Sequence, residues 1–341
     1  MFLKQNILTL CLIRFLKKCD HLMDDDKIIS KYLKYLAANN PSSLKLNDDV
    51  FFDKKKRLVV STDTYNEKIH FKNTKKPDLI IKKIIRSSIS DLICKGVKPK
   101  YIFLSASINN RLSNQPNFLL IVKSLKEELK KYKLLLSGGD TTYSSITSFT
   151  VTVIGFATKI VKRNNSDIGD AIFVTGNIGD AYAGLKILNK NIKSTKSLEN
   201  YFIKKYYIPD IAFKIYKYMP SIASSSIDIS DGLILDLERM INNQNLGYIL
   251  SIKDIPISKN LQKLIQLNNF QKKNFVSNGD DYQVLFTSPL KKVEQIKKLS
   301  KRINIKITKI GSITNKPNQI INTNGNYLKS IKNKGYLHKF K

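Results

Sequence analysis

The sequence predicts an α/β fold with mixed sheets, divided into two domains, and three observations carry that reading. The chain has 341 residues, 42% of them hydrophobic, and at roughly 150 residues per domain that length accommodates two cores. Short β-branched or apolar runs alternate with segments of helical period along the whole chain. A polar, charged stretch from Val161 to Gly169 interrupts this pattern, which then starts afresh.

The elements follow in order. Asp24-Asp25-Asp26 ahead of Ile28, Ile29, Tyr32, Leu33 and Leu36 forms an acidic helix start. Residues 1–22 upstream of it read as a non-native or disordered extension. Leu58 to Thr62 reads as a short buried strand. Ile80, Ile81, Ile84, Ile85, Ile89, Leu92 and Ile93 recur at helical spacing, so residues 77–97 are expected to be a helix stopped at Gly96 and Pro99. Strand Tyr101–Ser107, an amphipathic helix over Phe118–Tyr132, a strand from Lys133 to Ser137 and a β-branched strand from Ser148 to Ala157 complete the first half. In the second half, strand Ala171–Thr175 leads into helix Ala181–Leu188, and Ile227–Ile229 leads through Ser230-Asp231-Gly232 into helix Leu233–Ile241. Strand-like stretches end the chain. The expected domains are therefore residues 23–160 and 161–341.

The chain carries 59 Lys and Arg against 27 Asp and Glu, a net charge of +32. That excess is spread along the whole length and is accompanied by no zinc-finger or RNP-type motif, so neither nucleic acid nor a membrane is expected as a partner. The apolar run Ile7–Phe15, broken by Arg14, is too short to span a bilayer. Three cysteines without a C-x-x-C pair fit a reducing, cytoplasmic setting.

Aspartates recur around the predicted strands: Asp49, Asp63, Asp140, Asp228, Asp231, Asp280 and Asp281, with Asp91 contributed by a helix. Each alone has a plain explanation as a turn or cap residue. Carboxylates at strand ends converging on one rim, however, require cations, and hard oxygen ligands with only three histidines in the chain point to Mg2+ bridging to phosphate. Gly138-Gly139-Asp140-Thr141-Thr142 offers small residues where backbone amides approach phosphate. There is no G-x-x-x-x-G-K-[ST] loop and no protein-kinase motif set.

Taken together, several short motifs resemble, in sequence and order, the thiamine-monophosphate kinase family. They are Asn47-Asp48-Asp49, Ser61-Thr62-Asp63-Thr64 with Glu67 and His70-Phe71, Ser90-Asp91-Leu92 with Gly96 and Pro99, and Gly138-Gly139-Asp140-Thr141-Thr142. Gly169-Asp170 before Val174-Thr175-Gly176, Asp228-Ile229-Ser230-Asp231-Gly232-Leu233 and Gly279-Asp280-Asp281-Tyr282 follow. The resemblance runs from about Met23 to Gly335-Tyr336. It implies the aminoimidazole ribonucleotide synthetase-like fold, with an N-terminal domain that forms a homodimer and a C-terminal α/β domain. The implied activity is that of a thiamine-phosphate kinase, with ATP as co-substrate and several Mg2+ ions. It further implies Asp49, Ser61, Thr62, Asp63, Asp91, Asp140, Asp228 and Asp231 at the metals. Gly139, Arg163 and Ser230 fall to ATP, and His70 and Asp280 to thiamine monophosphate. No residue is implied as a general base. The sequence departs from the family pattern at Asn47, at Lys68, at Asp280, where the acid is one methylene shorter, and at Asn333, where an aromatic is usual. Two other readings stay open: a relative with a different acceptor, and a catalytically decayed nucleotide-binding homologue. His70 as a core or capping histidine and Arg163 as a linker charge are the plain alternatives for those two residues.

Overall fold

The computed structural model describes residues 23–72, 76–321, 325–328 and 333–340, so the extension expected over residues 1–22 lies outside the described residues. Two compact units are formed, residues 40–336 and the terminal segments 23–39 with 337–340. In the terminal unit, Met23–Asp24 pairs antiparallel with Lys339–Phe340. The Asp24 side chain caps a short helical turn by accepting from the Lys27 amide at 2.8 Å.

The large unit contains two sheets. The first is built from β1 (Phe51–Asp53), β2 (Leu58–Asn66), β3 (Pro99–Ile108), β4 (Leu135–Tyr143) and β5 (Ser148–Phe156), in the order β1-β2-β5-β3-β4. Only β3 and β4 are parallel, and the helix α2 (Gln115–Tyr132) joins them, because a parallel neighbour requires a crossover. The second sheet takes β6 (Ala171–Thr175), β7 (Ser226–Asp228), β8 (Gly247–Ser251), β9 (Val284–Ser288), β10 (Ile307–Thr314), β11 (Gln319–Ile321) and β12 (Tyr327–Leu328). Its order is β12-β11-β8-β10-β6-β9-β7. The helices α3 (Asp180–Leu188) and α4 (Lys196–Tyr207) follow β6, and Gly184 permits their close approach: a Cβ there would lie 2.2 Å from the Phe202 carbonyl oxygen.

The helix α1 (Pro77–Cys94) packs on β2, β3 and β5 of the first sheet and on β7 and β9 of the second. Its isoleucines at 80, 81, 84, 85 and 89 are buried, as expected from their spacing, but so are Lys83, Arg86, Ser87, Ser88 and Ser90. A helix enclosed on all sides must find partners for its polar groups. Arg86 does so with a two-pronged pair to Glu128 of α2, both bonds 2.9 Å, and donates to the Pro209 carbonyl at 3.1 Å.

Two turns expected from the sequence are absent. Asp63 and Asp140 do not end strands: β2 runs on to Asn66 and β4 runs through Gly138-Gly139-Asp140 to Tyr143. The reason is ladder pairing. Thr62 and Thr64 face Thr152 and Thr150 across β5, with hydroxyl contacts of 3.0 and 2.9 Å, and Gly139 fits against β3 where a Cβ would meet the Leu104 carbonyl oxygen at 1.9 Å. Among the described residues no helix is long and apolar enough to cross a membrane.

Replacing Arg86 by Met would strand the buried Glu128 carboxylate without its partner. The expected cost is about 3–5 kcal/mol, read as a lower urea midpoint with an unchanged slope.

Candidate active site

Strand alternation sorts the predicted residues. On β2, Val59, Ser61 and Tyr65 are buried on the face that meets α1, and Asp63 shares that parity, whereas Thr62, Thr64 and Asn66 are exposed on the other face. Ser61 donates its hydroxyl to Asp91 Oδ2 from β2 to α1. The preceding residue on α1, Ser90, donates to Asp228 Oδ2 at 2.5 Å, which ties the end of β7 to the same helix. Asp63 accepts from the Tyr65 hydroxyl at 3.2 Å, and that hydroxyl also meets Ser88 at 2.9 Å and Ser87 at 2.8 Å.

Asp63, Asp91 and Asp228 thus come together from a strand, a helix and a second strand of the other sheet. Burial pushes Asp63 up to about 6, against the hydrogen bonds from Tyr65 and Ser88. Burial, then repulsion from Asp63 and Asp228, lifts Asp91 well above the carboxylate range, and burial with repulsion from Asp63 raises Asp228 to about 6. Three carboxylates that disfavour one another's charge, held by the hydroxyls of Tyr65, Ser61 and Ser90, have the chemistry of a hard divalent-cation site.

Next to this centre, the side chains of Asp48 and Asp49 are buried. Asp49, Cys94 and Asp228 each bring one ligand atom within 4.8 Å of the others. Asp49 is bonded by Arg163 Nη2 on one oxygen and by Lys95 Nζ at 2.6 Å on the other. Asp48 accepts from Lys95 at 2.8 Å and from the Arg163 amide at 2.9 Å. Cys94 is buried and donates to the Asp91 carbonyl at 3.0 Å.

Ser230 and Asp280 are stitched backbone to backbone, the Asp280 amide donating to the Ser230 carbonyl at 2.8 Å. Asp280 meets Lys83 Nζ at 2.8 Å and accepts from the Tyr282 hydroxyl at 3.1 Å. Its neighbour Asp281 is committed elsewhere: it caps the start of α3, accepting from the Gly179 amide at 2.7 Å. Lys83 Nζ also lies 3.5 Å from the Tyr206 ring centroid, and Tyr206 donates its hydroxyl to the His70 carbonyl at 2.9 Å. The His70 ring packs edge-on against Tyr65, and its Nδ1 accepts from the Asn66 amide at 2.9 Å.

Four predicted residues, Asp140, Thr62, Gly139 and Asp231, are not gathered with the buried carboxylates. Asp140 lies in register with Ser105, Thr150 and Thr64, so it and the Thr62 hydroxyl belong to the sheet face turned away from α1; Gly139 is beside Asp140 on the same edge strand. Asp231 pairs with Arg239 at 2.5 Å. Sequence reasoning missed Asp48, Lys83, Ser90 and Lys95. For the two lysines the signal was a charge inside the apolar spacing of residues 77–97.

Comparison with known proteins agrees with this architecture. Residues 46–157 match the family model of the "AIR synthase related protein, N-terminal domain". The segment that carries the first sheet and α1 is therefore of the AIR synthase-related N-terminal-domain class. The thiamine-monophosphate kinase of Buchnera aphidicola subsp. Acyrthosiphon pisum is 35% identical over 324 residues, spanning 92% of this chain and 98% of that protein. That of Leptospira interrogans is 28% identical over 316 residues, spanning 92% and 99%. This chain belongs to the thiamine-monophosphate kinase family. Its fold matches AaThiL complexed with AMPPCP and TMP, with a TM-score of 0.80 at 24% identity over 92% of this chain and 97% of that one. It also matches the Aquifex aeolicus thiamine monophosphate kinase structure, with a TM-score of 0.76 at 23% identity over 89% and 97%.

The raised carboxyls fix the sign of a pH effect. With Asp63 and Asp228 titrating near 6 in the fold against 3.8 ordinarily, the stability tied to their protonated forms is complete below 3.8. It is lost as pH rises through about 6. A divalent cation that binds the ionised forms offsets this loss. Saturating Mg2+ should therefore raise the thermal midpoint by several degrees at about pH 7.5 and by much less at about pH 5, measured by calorimetry.

Proposed function

We propose that this chain transfers the γ-phosphoryl group of ATP to the phosphate of thiamine monophosphate, giving thiamine diphosphate and ADP. The observation that carries the reading is the convergence of Asp63, Asp91 and Asp228 from two sheets and a helix, in a chain aligned over nearly its whole length with thiamine-monophosphate kinases. In the transfer, an oxygen of the acceptor phosphate forms a bond to the γ-phosphorus, and the bond from that phosphorus to the bridging oxygen of ADP breaks. The acceptor has a second pKa of about 6 and is mostly dianionic at neutral pH, so no side chain need remove a proton. This accounts for a site rich in carboxylates and hydroxyls and without a histidine base.

What the reaction does require is that two polyanions approach in line. Mg2+ would supply charge neutralisation there, held by Asp63, Asp91 and Asp228. Ser61 and Ser90 orient two of those carboxylates. The reading assigns Gly139, Arg163 and Ser230 to ATP, and His70 and Asp280 to thiamine monophosphate. Lys83 and the Tyr282 hydroxyl hold the Asp280 carboxylate in place.

The reading includes a homodimer formed by the first sheet. The face turned away from α1 carries Val60, Thr62, Tyr101, Phe103, Thr152 and Ile154, half-buried or exposed, a mixed apolar and hydroxyl surface suited to a second sheet. Such a partner would also cover Asp140 and Thr62. Sedimentation should report a dimer, and Thr152→Arg at the centre of that face a monomer with its melting transition retained.

Incubation with labelled ATP, Mg2+ and thiamine monophosphate should yield labelled thiamine diphosphate. Asp91→Asn should lower turnover at least about a hundredfold, since it removes charge stabilisation used in the transfer, with a melting temperature no lower than that of the wild type. A folded Asp91→Asn protein with wild-type turnover would exclude the assignment.

A further inference from the structure

Lys95 is a lysine whose side chain is wholly buried, 0% exposed. It stands just past the last residue of α1. Its ammonium contacts Asp48 Oδ1 at 2.8 Å, Asp49 Oδ2 at 2.6 Å and the Ser226 carbonyl at 2.6 Å. An ammonium has three N–H donors, so each donor has a partner. Arg163 bonds the remaining Asp49 oxygen and, through its amide, the second Asp48 oxygen.

The charges separate into two groups. Asp48 and Asp49 are in direct contact with two protein cations, Lys95 and Arg163, whereas Asp63, Asp91 and Asp228 accept from the hydroxyls of Tyr65, Ser61 and Ser90, and Asp91 and Asp228 feel those cations only at longer range. A divalent ion bound at Asp49 would have to sit within a few ångströms of an immobile ammonium that cannot retreat to solvent. Like charges a few ångströms apart in a protein interior repel strongly, and a doubly charged ion is repelled about twice as strongly as a singly charged one. The three-carboxylate centre, whose Asp228 lies beside Asp49, is reached by Lys95 and Arg163 at longer range and has neither bonded to it, so the penalty there is smaller.

We propose that Lys95 is a tethered cation standing in for a divalent ion at Asp48–Asp49, so that in this chain Asp49 binds the protein's own ammonium and guanidinium instead of metal. Metal is thereby confined to the Asp63–Asp91–Asp228 centre, and the α1 C-terminus is locked to the segment around Asp48 without an ion. The inference rests on reading that centre as a Mg2+ site.

The test counts bound Mn2+ on the full chain by equilibrium dialysis and paramagnetic resonance, with no nucleotide present. Asp49→Asn should bind as many Mn2+ ions as the wild type, whereas Asp91→Asn should bind fewer. Lys95→Met, which uncovers two carboxylates, should gain one Mn2+ per chain, and the gain should vanish in Lys95→Met/Asp49→Asn. Loss of an ion in Asp49→Asn, or a folded Lys95→Met protein without the gain, overturns the proposal while leaving the metal centre intact. If Lys95→Met does not fold, the Asp49→Asn count alone decides. A wild-type chain that binds no Mn2+ overturns instead the Mg2+ reading on which the proposal rests.

Discussion

The helix α1 is held between two sheets and is buried on every side, and that enclosure constrains everything around it. Apolar residues alone would have met the packing requirement, yet Lys83, Arg86, Ser87, Ser88, Ser90 and Asp91 all lie along it. In a low-dielectric interior each needs a partner, and the partners come from different parts of the chain: Glu128 on α2, Tyr65 and Ser61 on β2, Asp228 on β7 and Asp280 before β9. The helix is therefore the element through which the two sheets register with each other. Moving it by one residue would break pairs on both sides at once. Polar groups of this kind contribute little net stability compared with well-packed apolar ones, but they specify position, and position is what a site assembled from three elements requires.

Strand pairing supplies the second constraint. Because side chains alternate along β2, Asp63 and Thr62 cannot both project toward α1. The ladder from β2 through β5 and β3 to β4 carries the same alternation across the sheet, so Asp140 shares the face of Thr62, Thr64 and Thr150. The predicted metal-site residues of this sheet consequently divide between its two faces, Ser61 and Asp63 toward α1 and Thr62 and Asp140 on the far side. A catalytic arrangement that used both groups would need ligands reaching around the sheet edge at β4, where Gly138 and Gly139 keep the backbone free of side chains, or a second copy of the chain against the exposed face.

Much of this architecture was legible in the sequence. The isoleucine spacing located α1 almost to the residue, and β-branched runs located β3, β5 and β6. Strand ends were less legible, since Asp63 and Asp140 look like turn residues locally, and only the threonine pairs across β5 carry β2 onward. The helix Val293–Ile303 and strand β8 went unnoticed because they carry no motif. For the site, motif order put Asp63, Asp91 and Asp228 in one set together with Thr62 and Asp140, and no local pattern tells which face of a strand a residue will occupy once the register is set. Nor does composition reveal that Lys95, in a chain rich in exposed lysines, is one of the few driven into the interior.

The paired acids Asp280-Asp281 show how such a division of labour arises from neighbours in sequence. Asp280 takes a positive φ of 70°, which turns its carboxylate away from that of Asp281. One acid then caps α3 through the Gly179 and Ala181 amides, while the other meets Lys83. The Lys83 ammonium is shared with the face of Tyr206, and the Tyr206 hydroxyl holds the His70 carbonyl. His70 in turn packs on Tyr65, whose hydroxyl reaches Asp63. A continuous set of contacts thus runs from the proposed acceptor residues to the buried carboxylates, and its middle members are aromatic rings and a buried cation with little rotational freedom. The separation of Asp280 from Asp63 is set by these packed side chains, so the shorter acid at position 280 is still held in a fixed relation to Asp63.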